Sequence, residues 1–520
     1  MDQAEYPTGA RKWIIALTVV FGSFMAVMDI SVVNVAMPHM MGSFGANLSE
    51  ITWVATGYSI AEIIMLTMAA WWSTLLGRKR LYVGSFILFT VGSALCGTAT
   101  TFSQMIVYRV IQGIGGGTLI PVSQAILRES FPPQEQGMAM AVNGMGIVLA
   151  PAIGPVLGGW LTDHFGWPWI FYINVPISIV GILMVMAFVF DPAYLRRGVK
   201  SIDWGGIALL TIGLTLMQLV LERGEQEDWF ESSWIVAGSI ATVLSIVGLV
   251  VWELMIKEPI IDFRLLKNIP LTVGSLIGLV FGVGLFGTTF LLPEFTQHML
   301  GYSAYEAGLV LLPRAIALFI FMPVAGALYK HVDARILIIT GIALIIWSSY
   351  GLSELSLSHG FWDLVPILVV MGAGMPFMFV TMTTVALSTV PREDMTQASG
   401  IYTLTRRVGG NIAYALVATI VAHRSQFHRS HLVENINEMS QNYQQFHGAT
   451  TAALVDHGMT NQAAPQAVLG IANNMVNQQA TMLSYNDVAW VMAGLFLLAL
   501  PLVFLLPRPP KKKPGPAPGH

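Results

Sequence analysis

Charge is what this 520-residue chain has least of. Asp, Glu, Lys and Arg together make up 11% of it, where a soluble protein carries roughly a quarter. That shortage excludes an ordinary soluble globular protein, and no nucleic-acid partner is expected. Cysteine is almost missing. Cys96 stands alone in an apolar stretch, which excludes a disulfide framework and a cysteine-built metal site. No HExxH or CxxC occurs, and GIGGGT (113–118) lacks the lysine of a phosphate cradle. No nucleophile–base pattern stands out either. An enzyme, a bound cofactor and ATP hydrolysis are therefore not expected, and the energy for any work should come from an ion gradient. A cleavable signal peptide is also lacking. The polar start MDQAEYPTGARKW runs into an apolar stretch too long for a signal's core, which reads as a first membrane span.

What the chain has in abundance is apolar sequence: 55% hydrophobic residues and a mean hydropathy of +0.67. Stretches of about 20 residues, the length that crosses a bilayer, recur at 13–37, 51–73, 81–100, 104–127, 137–161, 168–190, 203–222, 233–254, 270–293, 304–328, 335–355, 364–389, 395–421 and 487–507. The pattern predicts an all-α polytopic membrane protein with fourteen spans. Lysine and arginine set its orientation. With the N-terminus inside, only Arg223, Arg424 and Arg429 fall outside, and Arg109, Arg314, Arg406 and Arg407 fall within spans. The remaining nineteen of the 26 are cytoplasmic, as are both termini. Residues 191–202 form a basic inner link, 422–486 a long outer segment rich in Gln, Asn, His and Ser, and 508–520 a Pro- and Lys-rich cytoplasmic tail. Within the outer segment, NQAAPQAVLGIANNMVNQQATML reads as helix-forming.

Ionisable residues inside spans are expensive and point to function. Arg109, Gln112, Gly113, Gly116 and Gly117 share a helix face by their i, i+3, i+4 spacing. Glycines on that face admit a neighbouring backbone, whose polar groups the arginine can meet in place of lipid. Asp29, in MDISVVNVAMP with Ser31 and Asn34 nearby, is the leading counter-charge. Glu62 lies mid-span with Tyr58 and Ser59 on its face and no cation near it in sequence. It could carry protons or attract a cationic substrate. In the fifth span, Gly146, Ala150, Gly154 and Gly158 recur every four residues, as do Pro151 and Pro155. That pattern suits a deformable helix interface. Tyr402, Arg406, Gly410 and Tyr414 repeat the arginine-then-glycine design late in the chain, with Arg407 beside them. Arg314 and Glu294 lie at uncertain depth.

These motifs together resemble the fourteen-span drug:proton antiporters of the major facilitator superfamily, the EmrB/QacA type, over nearly the whole chain. MDISVVNVAMP is similar to that group's first-span motif, with Asp29 at its acidic position. RVIQGIGGG resembles the fourth-span motif, whose arginine, here Arg109, is associated with proton coupling. GIVLAPAIGPVLGGW resembles the antiporter motif, with Gly154, Pro155, Gly158 and Gly159 at its characteristic positions. LLPEFTQHMLGYSAYEAGLVLLP and SGIYTLTRRVGG are typical of the group as well. The outer segment from AHRSQFHRSHLVENIN, with VLERGEQEDWF and VWELMIKEPIIDFRLLK, is most similar to EmrB-like members of Gram-negative bacteria. Two departures stand out. AWWSTLLGRKR keeps Gly77, Arg78 and Lys79 of the inner-loop motif but has Thr74 where an acid is usual, so the acid-mediated clasp is missing or replaced. Glu62 is not a general feature of the group.

The resemblance implies a major facilitator fold. An N-terminal six-helix half (1–190) and a C-terminal half (270–507) would flank two extra central spans, 203–222 and 233–254, within a linker (191–269). It implies a multi-pass protein of the bacterial inner membrane that exports hydrophobic or amphipathic toxic compounds against protons, as part of a tripartite pump. Its periplasmic adaptor and outer-membrane channel would meet the outer segment. Asp29, Arg109 and Glu62 are the expected proton-coupling residues. Glu62, Tyr58, Gln112, Asn34, Arg406, Tyr402 and Glu294 are expected to meet substrate, and Pro151 to act with the antiporter motif. No metal ligand is expected. An exporter of one metabolite or fatty acid, or a non-transporting sensor or scaffold, are the alternatives.

Overall fold

The computed structural model describes residues 7, 9–191, 202–434, 436 and 440–506, and among these every regular element is helical. Most of the basic link 191–202, with Arg196, Arg197 and Lys200, lies outside the described residues, as do the tail 508–520 and the first residues of the chain. The first half comprises α1 (Ala10–Phe44), α2 (Leu48–Ile51), α3 (Trp53–Leu76), α4 (Arg78–Gly97), α5 (Phe102–Gly117), α6 (Leu119–Ser130), α7 (Gln136–Phe165), α8 (Trp169–Tyr172) and α9 (Asn174–Phe188). A hairpin of α10 (Trp204–Arg223) and α11 (Ser233–Met255) comes next. The second half has α12 (Ile269–His298), α13 (Ala304–Val310), α14 (Leu312–Leu328), α15 (Ala334–Ser353), α16 (Phe361–Ala386), α17 (Met395–Glu434), α18 (Gln441–Asp456) and α19 (Ala464–Val503). The inner side of the molecule is the one that the Lys/Arg bias assigns to the cytoplasm.

Among the described residues, twelve helical segments are long and apolar enough to cross a membrane, and the bent α7 makes a thirteenth. The expected fourth span is one segment in two pieces, α5 and α6, interrupted at Thr118. The expected span 395–421 is the first part of α17. Its polar residues, Arg406 and Arg407 among them, dilute its hydropathy, yet it packs against α12, α19 and α3. The outer segment 422–486 is helical well beyond the stretch read as helix-forming, most of which falls in α19. Its ends continue the neighbouring helices. α17 and α19 are each 40 residues long, about 60 Å at 1.5 Å per residue, or twice the bilayer's hydrocarbon core. Outside the core they pair antiparallel through polar bonds. Asp487 accepts from Arg424 Nε (2.6 Å) and His428 Nε2 (2.7 Å). Arg429 donates to Asn477 (2.8 Å) and Asn473 (3.1 Å).

Glycine sets how closely the helices of the first half approach. A Cβ on Gly113 would lie 2.5 Å from the Tyr58 carbonyl oxygen, and one on Gly117 2.3 Å from that of Glu62, so this face of α5 rests directly on the α3 backbone. Gly115 does the same against α4, where a Cβ would lie 2.3 Å from Phe89 N. A backbone cannot move aside as a flexible side chain can, and overpacking of this kind costs roughly 1–3 kcal/mol. Gly117→Ala should therefore lower the thermal unfolding temperature in detergent, while Gly84→Ala on α4, with nothing within 4 Å of its added carbon, should not. Equal melting of the two variants would contradict this packing account.

α7 is bent by 43° between its segments Gln136–Pro151 and Ile153–Phe165. The bend coincides with its two prolines, each of which removes one backbone N–H. Pro155 cannot donate to the carbonyl of Pro151, and Ser31 Oγ on α1 supplies that bond at 3.1 Å. Gly154 and Gly158 on the same helix face α1 at Ser31 and Val32, whereas Gly159 has only the edge of Val35 near it. Elsewhere α7 touches the other half, with Gly137 against Gly326 and Tyr329 of α14 and its link, and Gly144 against Phe379 of α16.

Candidate functional site

The four glycines of α5 let Arg109 sit against α3 and α1. Arg109 is fully buried and Asp29 is 2% exposed. Arg109 Nη1 donates to Asp29 Oδ2 at 2.5 Å and to Gln112 Oε1 at 2.7 Å, while its Nε donates to the Val54 carbonyl at 3.0 Å. The guanidinium also lies over the Tyr58 ring, 4.3 Å from its centroid. Asp29 Oδ1 accepts from Gln112 Nε2 (2.7 Å) and from Asn174 Nδ2 (3.0 Å). Both carboxylate oxygens thus accept from donors, the arrangement an ionised aspartate needs. Asn174 in turn donates to Ser93 Oγ at 3.1 Å. This network joins α1, α3, α4, α5 and α9 and stays within the first half.

Glu62 answers to a different arginine. Its Oε2 accepts from Arg407 Nη2 at 2.6 Å, across 345 positions of sequence, and both side chains are buried. The pair spans the seam between α3 and α17, and therefore the two halves. Arg407 also lies over the Phe286 ring at 5.6 Å. Along the same seam toward the outer side, Asn411 of α17 donates to Gln218 of α10, Gln218 approaches Glu222 at 3.5 Å, and Glu222 accepts from Thr56 of α3. The first helix of the central hairpin is thereby bonded to both halves.

The other expected residues fall in several places. Tyr58 and Gln112 are fully buried within the Asp29–Arg109 network, Tyr58 beneath the guanidinium and Gln112 bonded to both charged groups. Asn34 is exposed on α1, outside both charge pairs. Glu294 is half-buried near the end of α12 and pairs with His298 one turn on, at 3.3 Å, away from the buried charges. Tyr402 is fully buried and shares a hydrogen bond of 2.8 Å with Thr383. Arg406 lies over Phe379 (5.2 Å) and Tyr402 (5.9 Å), with its Nη1 lacking a hydrogen-bond partner. Arg314 donates to the hydroxyls of Thr288 (2.9 Å) and Thr289 (2.8 Å).

The inner-loop motif is intact in a different form. Gly77 has φ 84°, a conformation that favours glycine. It turns the chain so that Arg78, 1% exposed, reaches Glu129 at the end of α6. The acid that Thr74 does not supply thus comes from another helix. Arg78 Nη2 also donates to the Arg392 carbonyl of the second half at 3.5 Å. Beside it Lys79 N donates to Asp191 (2.8 Å) and Lys79 Nζ to the Met186 carbonyl (2.7 Å). Arg128, an ordinary inner residue by sequence, donates to the carbonyls of Thr384 (3.2 Å) and Leu387 (2.8 Å) on α16. Together Arg78 and Arg128 latch the two halves at their inner ends. Asn174, Gln218, Asn411 and Glu129 escape sequence inspection. Asn174 and Gln218 are lone polar residues within apolar runs, Asn411 follows two glycines, and Glu129 stands between Arg128 and Ser130 as an ordinary inner-loop acid.

Comparison with known proteins agrees with this architecture. The family model described as Major Facilitator Superfamily matches residues 19–414. The "Multidrug export protein EmrB" of Escherichia coli (strain K12) is 33% identical over 515 residues, covering 98% of each chain. The "Fatty acid resistance protein FarB" of Neisseria gonorrhoeae is 29% identical over 98% of each chain. The "Colistin resistance protein EmrB" of Acinetobacter baumannii is 28% identical over 97% of this chain and 98% of its own. Among solved structures, the human organic anion transporter MFSD10 superposes with a TM-score of 0.60 at 12% identity, over 95% of this chain and 99% of that one, a likeness of fold alone. On a family match that runs through both halves, joined to full-length relatives, this chain belongs to the major facilitator superfamily.

Proposed function

We propose that this protein is a proton-coupled exporter of hydrophobic and amphipathic toxic compounds, a multi-pass pump of the bacterial inner membrane. The observation that carries this reading is the buried Asp29–Arg109 pair, a carboxylate held by a fixed cation and two further donors inside an apolar bundle. Relatives that align over nearly their whole length bear names in multidrug export. Protonation of Asp29 takes away the charge that Arg109 neutralises. Protonation of Glu62 loosens Arg407 and, with it, one bond across the seam of the halves. The halves then rock on α7 and α14, the latches of Arg78 and Arg128 open, and substrate and proton cross in opposite directions. Each proton moved through 100 mV contributes about 2.3 kcal/mol. The polar pairing of α17 with α19, extended by α18, is the surface that a periplasmic adaptor of a tripartite assembly would meet. In this reading the protein rearranges its own contacts and performs no chemistry on its cargo, as a transporter and not an enzyme.

Everted vesicles from a strain lacking its own pumps test the reading. With a proton gradient established, several unrelated hydrophobic drugs should each enter the vesicles and draw protons out, and an uncoupler should stop both. Uptake that persists without the gradient, or no movement of any compound, would overturn it. Protection limited to fatty acids would replace it with the narrower function that FarB's name describes.

A further inference from the structure

The central hairpin carries two buried acids that neither charge pair uses. Asp203 caps the inner end of α10. Its Oδ1 accepts from Gly206 N at 2.9 Å and from Trp252 Nε1 at 2.8 Å. Glu253, in the last turn of α11, is 1% exposed, and its Oε2 accepts from Ile260 N at 2.9 Å. The second oxygen of each, Asp203 Oδ2 and Glu253 Oε1, is buried without a hydrogen-bond partner. These two oxygens converge on one point. A Cβ on Gly206 would lie 2.3 Å from the first and 2.7 Å from the second, so only glycine leaves them room to face each other. Among the described residues no cation is paired with either acid.

Among the described residues the surrounding charges do not compensate. Asp262 faces the pair from the link to α12, and it is 3.9 Å from Arg264. The Arg264 guanidinium is turned to the carbonyls of Leu254 (2.9 Å) and Ile256 (3.0 Å). Lys257 is exposed on the same link, next to Glu258. Beyond Asp262 lie Glu393 and Asp394 of the α16–α17 link, and burial together with these acidic neighbours pushes the Asp394 carboxyl up. From α3 the region is covered by Trp71, Trp72 and Leu75, which bring no charge.

Two carboxylates cannot both stay ionised at close range in such surroundings. One proton resolves two defects together, because it turns one unpaired acceptor into a donor for the other. The geometry points to a further proton site, on the central hairpin, in which Asp203 Oδ2 and Glu253 Oε1 hold one proton between them at neutral pH. The site is wired to the transport helices. Glu253 holds the link at Ile260, and Gln397 of α17 accepts from Asp262 N on the same link at 2.7 Å. Loss of the shared proton sets two like charges against each other, spreads the inner ends of α10 and α11, and pulls on the helix that carries Arg407. The place of this site in a transport cycle rests on the proton-coupled reading above, whereas its proton occupancy does not.

Infrared spectra of the full-length protein in lipid nanodiscs test the occupancy without any transport. The wild type should show a protonated-carboxyl carbonyl band at neutral pH that disappears on alkaline titration. Glu253→Gln should remove that band. Asp203→Asn, which keeps a capping oxygen, should instead lower the proton affinity by at least tenfold. Asp29→Asn and Glu62→Gln should leave the band in place. A carbonyl band whose titration neither Glu253→Gln nor Asp203→Asn alters would overturn the site. Should Glu253→Gln not fold, the Asp203→Asn titration alone decides, by shifting or by failing to shift.

Discussion

Asp29→Asn should abolish proton-driven efflux and also destabilise the protein. Asparagine matches aspartate in size and keeps one acceptor oxygen, so the change removes charge with little change of shape. What it leaves is Arg109, fully buried, facing a neutral amide. Breaking a buried pair by removing one partner costs about 3–5 kcal/mol, because the remaining charge is uncompensated. Arg109→Ala exposes Asp29 to the same penalty from the other side and also leaves the Val54 carbonyl without its donor. Arg109→Lys keeps the charge but cannot reach Asp29, Gln112 and the Val54 carbonyl from one planar group, so transport should fall by at least an order of magnitude. A double variant, Asp29→Asn with Arg109→Gln, separates structure from coupling. With both charges gone the folding penalty should largely disappear, while drug-driven proton movement in everted vesicles stays at background. Full efflux by Asp29→Asn, or full recovery of efflux in the double variant, would contradict a coupling role for this pair.

Breaking the Glu62–Arg407 bond should uncouple the two halves of the molecule. Arg407→Ala leaves Glu62 buried beside the α5 backbone at Gly117, with no other cation bonded to it among the described residues. The expected phenotype differs from that of Asp29. Glu62→Gln retains a hydrogen bond to Arg407 but removes the proton-sensitive charge, so drug should still bind while gradient-driven turnover is lost. Since the pair joins α3 to α17, its two residues should show non-additive effects on thermal stability. Glu62→Gln with Arg407→Gln should be more stable than the sum of the single losses indicates, by roughly 1–3 kcal/mol. Strict additivity would mean that the two side chains do not bond in the folded protein. A Glu62→Gln variant with the drug-driven proton flux of the wild type would remove Glu62 from the coupling scheme.

Much of the membrane architecture is readable in one dimension, and the exceptions are instructive. Apolar runs find the membrane helices, although α1, α17 and α19 continue well beyond their runs, because a segment surrounded by hydrocarbon must be apolar over about 20 residues wherever it sits in the fold. The expected span 395–421 is the exception, since Arg406 and Arg407 dilute its hydropathy and its packing against α12, α19 and α3 marks it instead. Outside NQAAPQAVLGIANNMVNQQATML the outer segment gives no helix signal, because its polarity matches that of a tether. In the structure its polar residues bond helix to helix, as Arg424 and His428 do on Asp487, and polarity by itself does not tell a solvated helix from a solvated loop. At the inner loop, Thr74 in the position of an acid leaves open whether Arg78 has a partner. The partner is Glu129, 51 positions away, brought there by the return of α6.

One dimension is enough to show that Arg109 needs a counter-charge and has a glycine face on which a neighbour can lie. The helical period places Gln112, Gly113 and Gly117 beside it, and the cost of charge in hydrocarbon demands a partner. Asp29 is the leading candidate by chemistry, and the two lie 2.5 Å apart. It takes the packed helices to assign Glu62 to Arg407 and not to Arg109, to complete the shell of Asp29 with Asn174, and to bring Asp203 and Glu253 together over Gly206. The reason is geometric. Period and hydropathy are properties of one helix, set within a few turns of chain. Which side chains touch between helices depends on their relative rotation and depth. A shift of one residue turns a side chain by about 100° and raises it by 1.5 Å, enough to exchange one partner for another.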